Sequence, residues 1–208
     1  MHLWFLSDPH FGHENIWRKF KRPCIECTGS GVFDQIDVYQ IPCGVCRGSG
    51  EIPMRPFSST NEMDDTIIDR INDCVKPEDH LYMLGDIAMK KAYLQLIKGI
   101  TCRHLRLILG NHDIFPYQDY AAVGFKKISS YRVIDGIMFS HIPIHPTSLG
   151  RFRANVHGHT HTNPGPPHHV RHDGVIVPYV NISVEATNYR PVDLAWINNR
   201  IKEIHANS

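Results

Sequence analysis

The chain has 208 residues, 42% hydrophobic and 21% charged, enough for one globular domain, or one domain with a small insertion, built on its own core. A formal net charge of +1 gives no global electrostatic case for nucleic acid or membranes, so binding either would rest on a local patch. No run reaches the apolar length of a membrane span. The opening MHLWFLSDPH lacks the basic start and long apolar stretch of a signal peptide, so a cytoplasmic protein is expected.

HLWFLSD (2–8) is a nearly continuous apolar run, the pattern of a strand buried on both faces. A helix is expected over 14–20. Residues 21–56 are rich in Gly, Cys and Pro and carry no long apolar period. A second helix should begin at Ser59, which forms an S-x-x-E capping box with Glu62. Met63, Ile67, Ile68, Ile71 and Val75 then share one helical face. HLYMLGD (80–86) reads as a second buried strand, 88–98 as a helix, and HLRLILGNHD (104–113) as a third strand. YRVIDGIMFSHIPIHP (131–146) reads as a hairpin turning at Asp135-Gly136. NVHGHTH (155–161) is another apolar run ending in histidines. A Pro/Gly-rich loop, 162–174, then leads to a last strand, VIVPYVNISVEA. The chain as a whole shows no repeat, and the class expected is α/β.

Five of these runs end in polar clusters: Asp8 and His10; Asp86; Asn111 and His112; His141; His159 and His161. The carboxyl edge of an open α/β sheet is where sites are built. Carboxylates, imidazoles and one carboxamide suit Mn, Fe, Zn or Ni better than Mg or Ca. Asp8, His10, Asp86, Asn111, His141, His159 and His161 are too many ligands for one ion and fit two ions sharing a carboxylate. Asp8/His10 and His159/His161 are spaced i, i+2, so on extended backbone both members of a pair point the same way. Each pair then serves one ion, or is split between two.

In order, the clusters read Asp8-Pro9-His10, Gly85-Asp86, Gly110-Asn111-His112-Asp113, His141 and Gly158-His159-Thr160-His161. This series closely resembles the calcineurin-like metallophosphoesterases, whose motifs run D-x-H, G-D, G-N-H-[DE], H and G-H-x-H. LSDPHFGHENI, RPFSS and VNISVEATNYRPV further resemble a small bacterial and phage subgroup of that family. The resemblance implies a four-layer αββα sandwich of two mixed β-sheets flanked by helices. It also implies a metal-dependent hydrolase, a phosphodiesterase before a phosphomonoesterase or nucleotide pyrophosphatase. One ion would take Asp8, His10, Asp86 and His161, and the other Asp86, Asn111, His141 and His159. Manganese is the first choice of metal, with Fe, Zn or Ni as alternatives. The pair of ions would activate a bridging hydroxide for in-line attack on phosphorus. His112 matches the family histidine that lies beside the metals without ligating one, placed to protonate the leaving oxygen or stabilise its charge.

Arg55 is assigned to phosphate binding through its guanidinium, and His13 is a second candidate substrate contact. His13 and His157 read equally as hydrogen-bond donors behind a ligand or as packed histidines. HHVRHD (168–173) reads as a solvated loop. Glu185, Asn188 and Tyr189 carry no spacing signal beyond holding the last turn. The expected substrate is a phosphate ester, with nucleotides and nucleic acid included and no membrane partner.

Residues 24–50, CIECTGSGVFDQIDVYQIPCGVCRGSG, pair Cys24 with Cys27 and Cys43 with Cys46, fifteen residues apart. That is the spacing of a closed four-thiolate zinc site. The repeated C-x-x-C-x-G-x-G also resembles the zinc-binding repeats of the DnaJ chaperones, with glycines that let backbone amides point at the thiolates. Two disulfides or redox-active pairs are the competing reading. Cys74 and Cys102 read as packed thiols. Residues 24–52 interrupt the resemblance as an inserted module, a lid, substrate platform or protein contact. Arg47 is its only arginine, which disfavours nucleic-acid binding by the module alone. A non-catalytic scaffold acting through this module and a thiol oxidoreductase are the readings from other functional classes.

Overall fold

The computed structural model of the protein describes residues 1–36, 39–162, 169–172 and 175–208. In chain order its elements begin β1 (Leu3–Leu6), α1 (Glu14–Arg18), β2 (Lys21–Pro23), β3 (Val32–Ile36), β4 (Tyr39–Pro42), β5 (Glu51–Pro53) and α2 (Thr60–Cys74). They continue β6 (His80–Met83), a 3₁₀ helix (Lys91–Gly99), β7 (His104–Ile108), α3 (Tyr117–Ala122), β8 (Phe125–Ser129), β9 (Tyr131–Ile134) and β10 (Ile137–Ser140). A 3₁₀ turn (Pro146–Ser148), β11 (Ala154–His157), β12 (His169–His172), β13 (Val175–Asn181), β14 (Val192–Asp193) and α4 (Leu194–Ala206) complete it. Local contacts divide the chain into two compact units, Met1–Gly12 with Asn61–Ser208, and His13–Thr60.

The larger unit holds two five-stranded sheets, ordered β14-β1-β6-β7-β8 and β12-β13-β11-β10-β9. Both are mixed. β1, β6, β7 and β8 run parallel with β14 antiparallel at the edge, and β10, β11 and β13 run parallel between antiparallel β9 and β12. The apolar runs form the central strands because only a strand covered on both faces can use side chains that are apolar on both. Phe5 on β1 stacks on Tyr82 of β6 at 5.3 Å and on Phe139 of β10 at 4.3 Å. Around it Leu84, Ile108, Val156, Ile182 and Ile201 make one buried cluster, drawn from both sheets and α4. Each such side chain contributes about 1.5–3 kcal/mol by leaving water.

On α2, Met63, Ile67 and Ile71 are buried with Val75 just beyond, as the periodicity requires. The hairpin turns at Asp135 (φ 49°) and Gly136 (φ 74°), both left-handed, with Ile134 opposite Ile137, the geometry of a two-residue type I′ turn. The helix expected over 14–20 is one short turn, Glu14–Arg18, and the one expected over 88–98 is the 3₁₀ helix. Several elements were not anticipated, among them α3, β8, β12 and α4. α4 starts where Asp193 caps it, accepting from the Trp196 amide at 2.7 Å. Of the loop expected at 162–174, residues 163–168 and 173–174 lie outside the described residues, whereas 169–172 are strand β12, paired with β13. HHVRHD is therefore a sheet edge in its described part, not a loop.

In the smaller unit β2 and β5 pair antiparallel, Lys21 opposite Pro53 and Pro23 opposite Glu51, so the ends of the 24–52 stretch lie side by side. No helix is long and apolar enough to cross a membrane, among the described residues.

Candidate metal centre

β1, β6 and β7 end together in one sheet, β10 and β11 end together in the other, and the polar clusters follow these ends. Asp8, His10 and His161 bring one ligand atom each to within 4.8 Å of one another, and so do Asp86, His141 and His159. The groups adjoin through Asp86, whose Oδ2 lies 3.5 Å from His10 Nε2 and 3.3 Å from His141 Nε2. Asn111 Oδ1 stands 3.0 Å from His141 Nε2, on the side of the second group. Asp8 and His10 thus stay together, whereas His159 and His161 divide between the two groups.

The mechanism of convergence differs from plain strand alternation. Asp8 (φ 60°), His10 (φ 51°), Asp86 (φ 54°), His159 (φ 66°) and His161 (φ 50°) all occupy the left-handed region. Asp and His tolerate it better than most residues, yet each still costs on the order of 1–3 kcal/mol. The strands stop, and each chain turns sharply enough to aim its side chain inward. Two glycines allow the close approach. A Cβ on Gly110 would stand 2.2 Å from Asp86 Oδ1, and one on Gly158 would stand 2.2 Å from Asp8 Oδ2.

The supporting bonds fix each donor. The His159 amide donates to both Asp8 oxygens at 3.1 and 2.9 Å, and the His112 amide donates to Asp86 Oδ1 at 2.9 Å. His141 Nδ1 pairs with the Leu84 carbonyl at 2.7 Å, leaving Nε2 for the centre. His112 itself is exposed, its ring 5.7 Å from that of His10. Burial pushes the Asp8 carboxyl up, against the pull of His161 and His141. Burial acts the same way on Asp86, but the hydrogen bond and charge of His141 outweigh it and hold that carboxyl below its usual range.

The donor set fits a divalent cation. Asp86 is only 2% exposed, and among the described residues it meets no lysine or arginine within 4.0 Å, only imidazoles and a backbone amide. A buried carboxylate ringed by imidazoles, with no fixed lysine or arginine charge beside it, presents the mixed O/N donors that a divalent cation takes.

In the smaller unit Cys24, Cys27, Cys43 and Cys46 are buried with their sulfurs within 4.8 Å of one another. Cys24–Cys43 and Cys27–Cys46 sulfurs are 3.8 and 3.7 Å apart, close to the edge of about 3.8 Å that tetrahedral Zn–S bonds of about 2.3 Å require. All six cysteines are unbridged. The two halves repeat one hydrogen-bond pattern. Gly31 and Gly50 amides donate to Cys27 and Cys46 sulfurs, both at 3.3 Å. Cys24 and Cys43 amides donate across to Gly50 and Gly31 carbonyls, both at 2.8 Å. Burial raises the Cys24 thiol. At Cys27 burial is outweighed, first by the Gly31 amide, and its thiol is lowered.

No family model matches the chain. The uncharacterized protein MJ1445 of Methanocaldococcus jannaschii is 31% identical to it over 209 aligned positions, covering 94% of this chain and 88% of that one. The chain belongs to the MJ1445 family. The crystal structure of a protein of unknown function from Aquifex aeolicus, AQ665, matches with a TM-score of 0.53 and 22% identity, over 95% of this chain and 98% of that one, a likeness of fold. Phosphopantetheinyl hydrolase PptH from Mycobacterium tuberculosis matches at a TM-score of 0.37 and 12% identity, too low to carry an argument.

In this member of the MJ1445 family three carboxylates do more than their sequence context suggested. Glu185, its side chain 2% exposed, holds His161 Nδ1 at 3.0 and 3.1 Å. Asp113 accepts from the amides of Asp86 and Gly110 at 2.8 Å and of Ile87 at 3.0 Å, tying the ends of β6 and β7 together. Asp64 accepts from the Gly12 amide with both oxygens, at 3.2 and 3.0 Å. The signal for Glu185 was present: it follows the end of a sixth apolar run, as the ligands follow theirs.

The remaining assignments separate. His157 is a packed histidine, buried, with Nδ1 2.8 Å from the Gly158 carbonyl and its pKa pushed down to about 4, chiefly by burial. His13 precedes α1 and meets Phe20 edge-on at 5.6 Å. Arg55 is fully buried. Both belong to the smaller unit with the four cysteines, and the larger one holds His112 and the candidate metal-centre residues.

Proposed function

We propose that the chain is a metal-dependent phosphoesterase of the calcineurin-like class, acting on a phosphodiester, with its two five-stranded sheets as the inner layers of an αββα sandwich. The observation that carries this reading is Asp86 Oδ2 standing between His10 Nε2 and His141 Nε2, with a group of donors on either side. Asp8, His10, Asp86 and His161 would hold one divalent ion, and Asp86, Asn111, His141 and His159 the other, with manganese as the first choice. When bound, the ions would lower the pKa of a shared water to near neutrality and neutralise phosphoryl charge. The protein's own part is to orient and to move a proton. His112 donates its proton to the leaving oxygen while its backbone N–H holds Asp86 in place. Glu185 and the Leu84 carbonyl keep His161 and His141 turned so that Nε2 faces the centre.

The four cysteines form a closed structural zinc site within an inserted module, residues 24–52. Thiols kept as ligands suit a reducing, cytoplasmic setting. Ile25 and Val45, 69% and 60% exposed on that module, favour a protein contact for it.

The test compares bis-p-nitrophenyl phosphate, p-nitrophenyl phosphate, cyclic nucleotides and short oligonucleotides with purified protein and added Mn²⁺. Turnover of the diesters, lost with a chelator and restored by Mn²⁺, supports the reading. Faster turnover of the monoester moves it to a phosphomonoesterase. No turnover of any substrate by protein that carries both ions makes the chain a binding scaffold.

A further inference from the structure

Four cations line one cavity in the larger unit with no acid to balance them. The cavity, about 330 Å³, is walled by Tyr82, Arg106, Tyr117, Lys126, Lys127 and Arg132, and no Asp or Glu among the described residues lines it. Topology assembles it. Tyr82, Arg106 and Lys127 are register partners across parallel β6, β7 and β8, so their side chains share one sheet face. Arg132 comes from β9, and β8 and β9 are each the edge strand of their sheet. Tyr117 opens α3 and is 56% exposed.

Arg106 is the built part of the site. Its guanidinium carbon lies 5.5 Å from the centre of the Tyr82 ring, and it donates to His80 Nδ1 at 3.3 Å. Burial, then the charges of Arg106, His104 and Lys127, holds His80 below its usual range, and an imidazole supplies Arg106 no counter-charge. Arg106 Nε is buried with no partner among the described residues. Lys91, Arg190 and Arg200 each meet a carboxylate, but Arg106, Lys126, Lys127 and Arg132 meet none within 4.0 Å among the described residues. Asp119, two residues after Tyr117, meets Lys91, and Asp79, which precedes His80, accepts from backbone and indole N–H groups.

Gathering like charges and leaving a buried guanidinium N–H unmatched both cost stability. A bound anion removes both penalties. Guanidinium takes phosphate in a two-pronged contact and lysines add point charge. The exposed Tyr117 ring offers a face for a base. The volume is at the low end of ligand pockets, which span about 300–1,000 Å³, the scale of one nucleotide unit. We propose that this cleft is a second anion site that takes a nucleotide phosphate, as a free nucleotide or as one unit of a single strand. None of the candidate metal-centre residues lines it, and the proposal does not rest on the phosphoesterase reading. It is the local patch that a net charge of +1 would otherwise hide.

The test measures binding of ADP, an eight-residue oligothymidylate and pyrophosphate to the full chain by calorimetry and fluorescence anisotropy over a range of salt. The exposed pair Lys127→Glu and Arg132→Glu, made together, should weaken both nucleotide probes by about tenfold or more and reduce the oligonucleotide's salt slope by about 2, with thermal stability unchanged. Tyr117→Ala should weaken the nucleotide probes about tenfold, the lower end of a lost base stack, and leave pyrophosphate unaffected. Asp86→Ala, which removes whatever the metal centre itself binds, should keep the part of the binding that the double variant loses. Unchanged affinity in the double variant, loss of binding in Asp86→Ala alone, or no binding of either nucleotide probe by the parent overturns the proposal. Pyrophosphate bound as tightly as ADP removes the nucleotide from it.

Discussion

Asp86 Oδ2 lies 3.5 Å from His10 Nε2 and 3.3 Å from His141 Nε2, so one carboxylate oxygen stands between two groups of metal donors. Everything proposed for the centre depends on that shared position, and the groups behind the ligands can be tested separately from it.

Glu185 holds His161 through Nδ1. Glu185→Gln weakens that hold while keeping the shape. The Mn²⁺ concentration needed for half-maximal activity should rise about 10–100-fold, with activity recovering at high Mn²⁺. An unchanged Mn²⁺ requirement would mean that Glu185 only packs the turn.

His112 is exposed and supplies no atom to either donor group. His112→Ala should keep the metal content of the parent and lose about 10²–10⁴-fold in turnover, the usual worth of a positioned acid. The loss should be smaller for a nitrophenol leaving group than for an alkoxide, which needs the proton. Equal losses would assign His112 to charge stabilisation.

Cys43→Ser should release one zinc ion and open residues 24–52 to limited proteolysis while Met1–Gly12 and Asn61–Ser208 stay resistant. The described apolar residues of that stretch are few and partly exposed, Ile25 and Ile41 among them, whereas zinc contributes on the order of 10–16 kcal/mol in small modules. Degradation of the whole chain at one rate would show that the stretch belongs to the main core.

Asp79 ties the start of β1 to β6, accepting from the His2 amide (2.7 Å), the Lys76 amide (3.1 Å) and the Trp4 indole (3.2 Å). Burial alone would raise its carboxyl, but these bonds outweigh it and hold the pKa below the usual range. The folded state therefore binds this proton less readily than the unfolded chain. The stabilisation is fully present above the ordinary carboxylate pKa, about 3.9, and is lost as pH falls through the lower, folded value. Asp79→Asn should cost about 1–3 kcal/mol at neutral pH. The melting-temperature gap between parent and variant should stay constant from neutral pH down and close only in acid. A gap that narrows already between pH 8 and 6 would exclude this origin.

Much of the site was legible because its rule is local: a short apolar run stops, and Asp, Asn or His follows. That rule located Asp8, Asp86, Asn111, His141 and His161 without knowledge of which strands are neighbours. The spacing of His159 and His161 leaves open whether they divide between two groups, and only the resemblance implies that they do. The division follows from left-handed backbone at both residues, which their i, i+2 spacing does not reveal. β12 was hidden because its HVRH lacks alternation and its pairing with β13 is set by tertiary structure. α4 has a sequence signal of its own, since Ile197, Ile201 and Ile204 recur at helical spacing and are buried. Asp113 stands in the sequence only as the last residue of Gly110-Asn111-His112-Asp113. Its work, accepting three amides from two strand ends, requires the fold to exist first.

The most direct measurement is elemental analysis of Asp86→Ala beside the parent, with phosphodiester turnover on the same samples. A carboxylate shared by two ions predicts that the variant keeps its cysteine-bound zinc, loses both other ions, and falls to background activity. A variant that retains both non-zinc ions would contradict the shared centre.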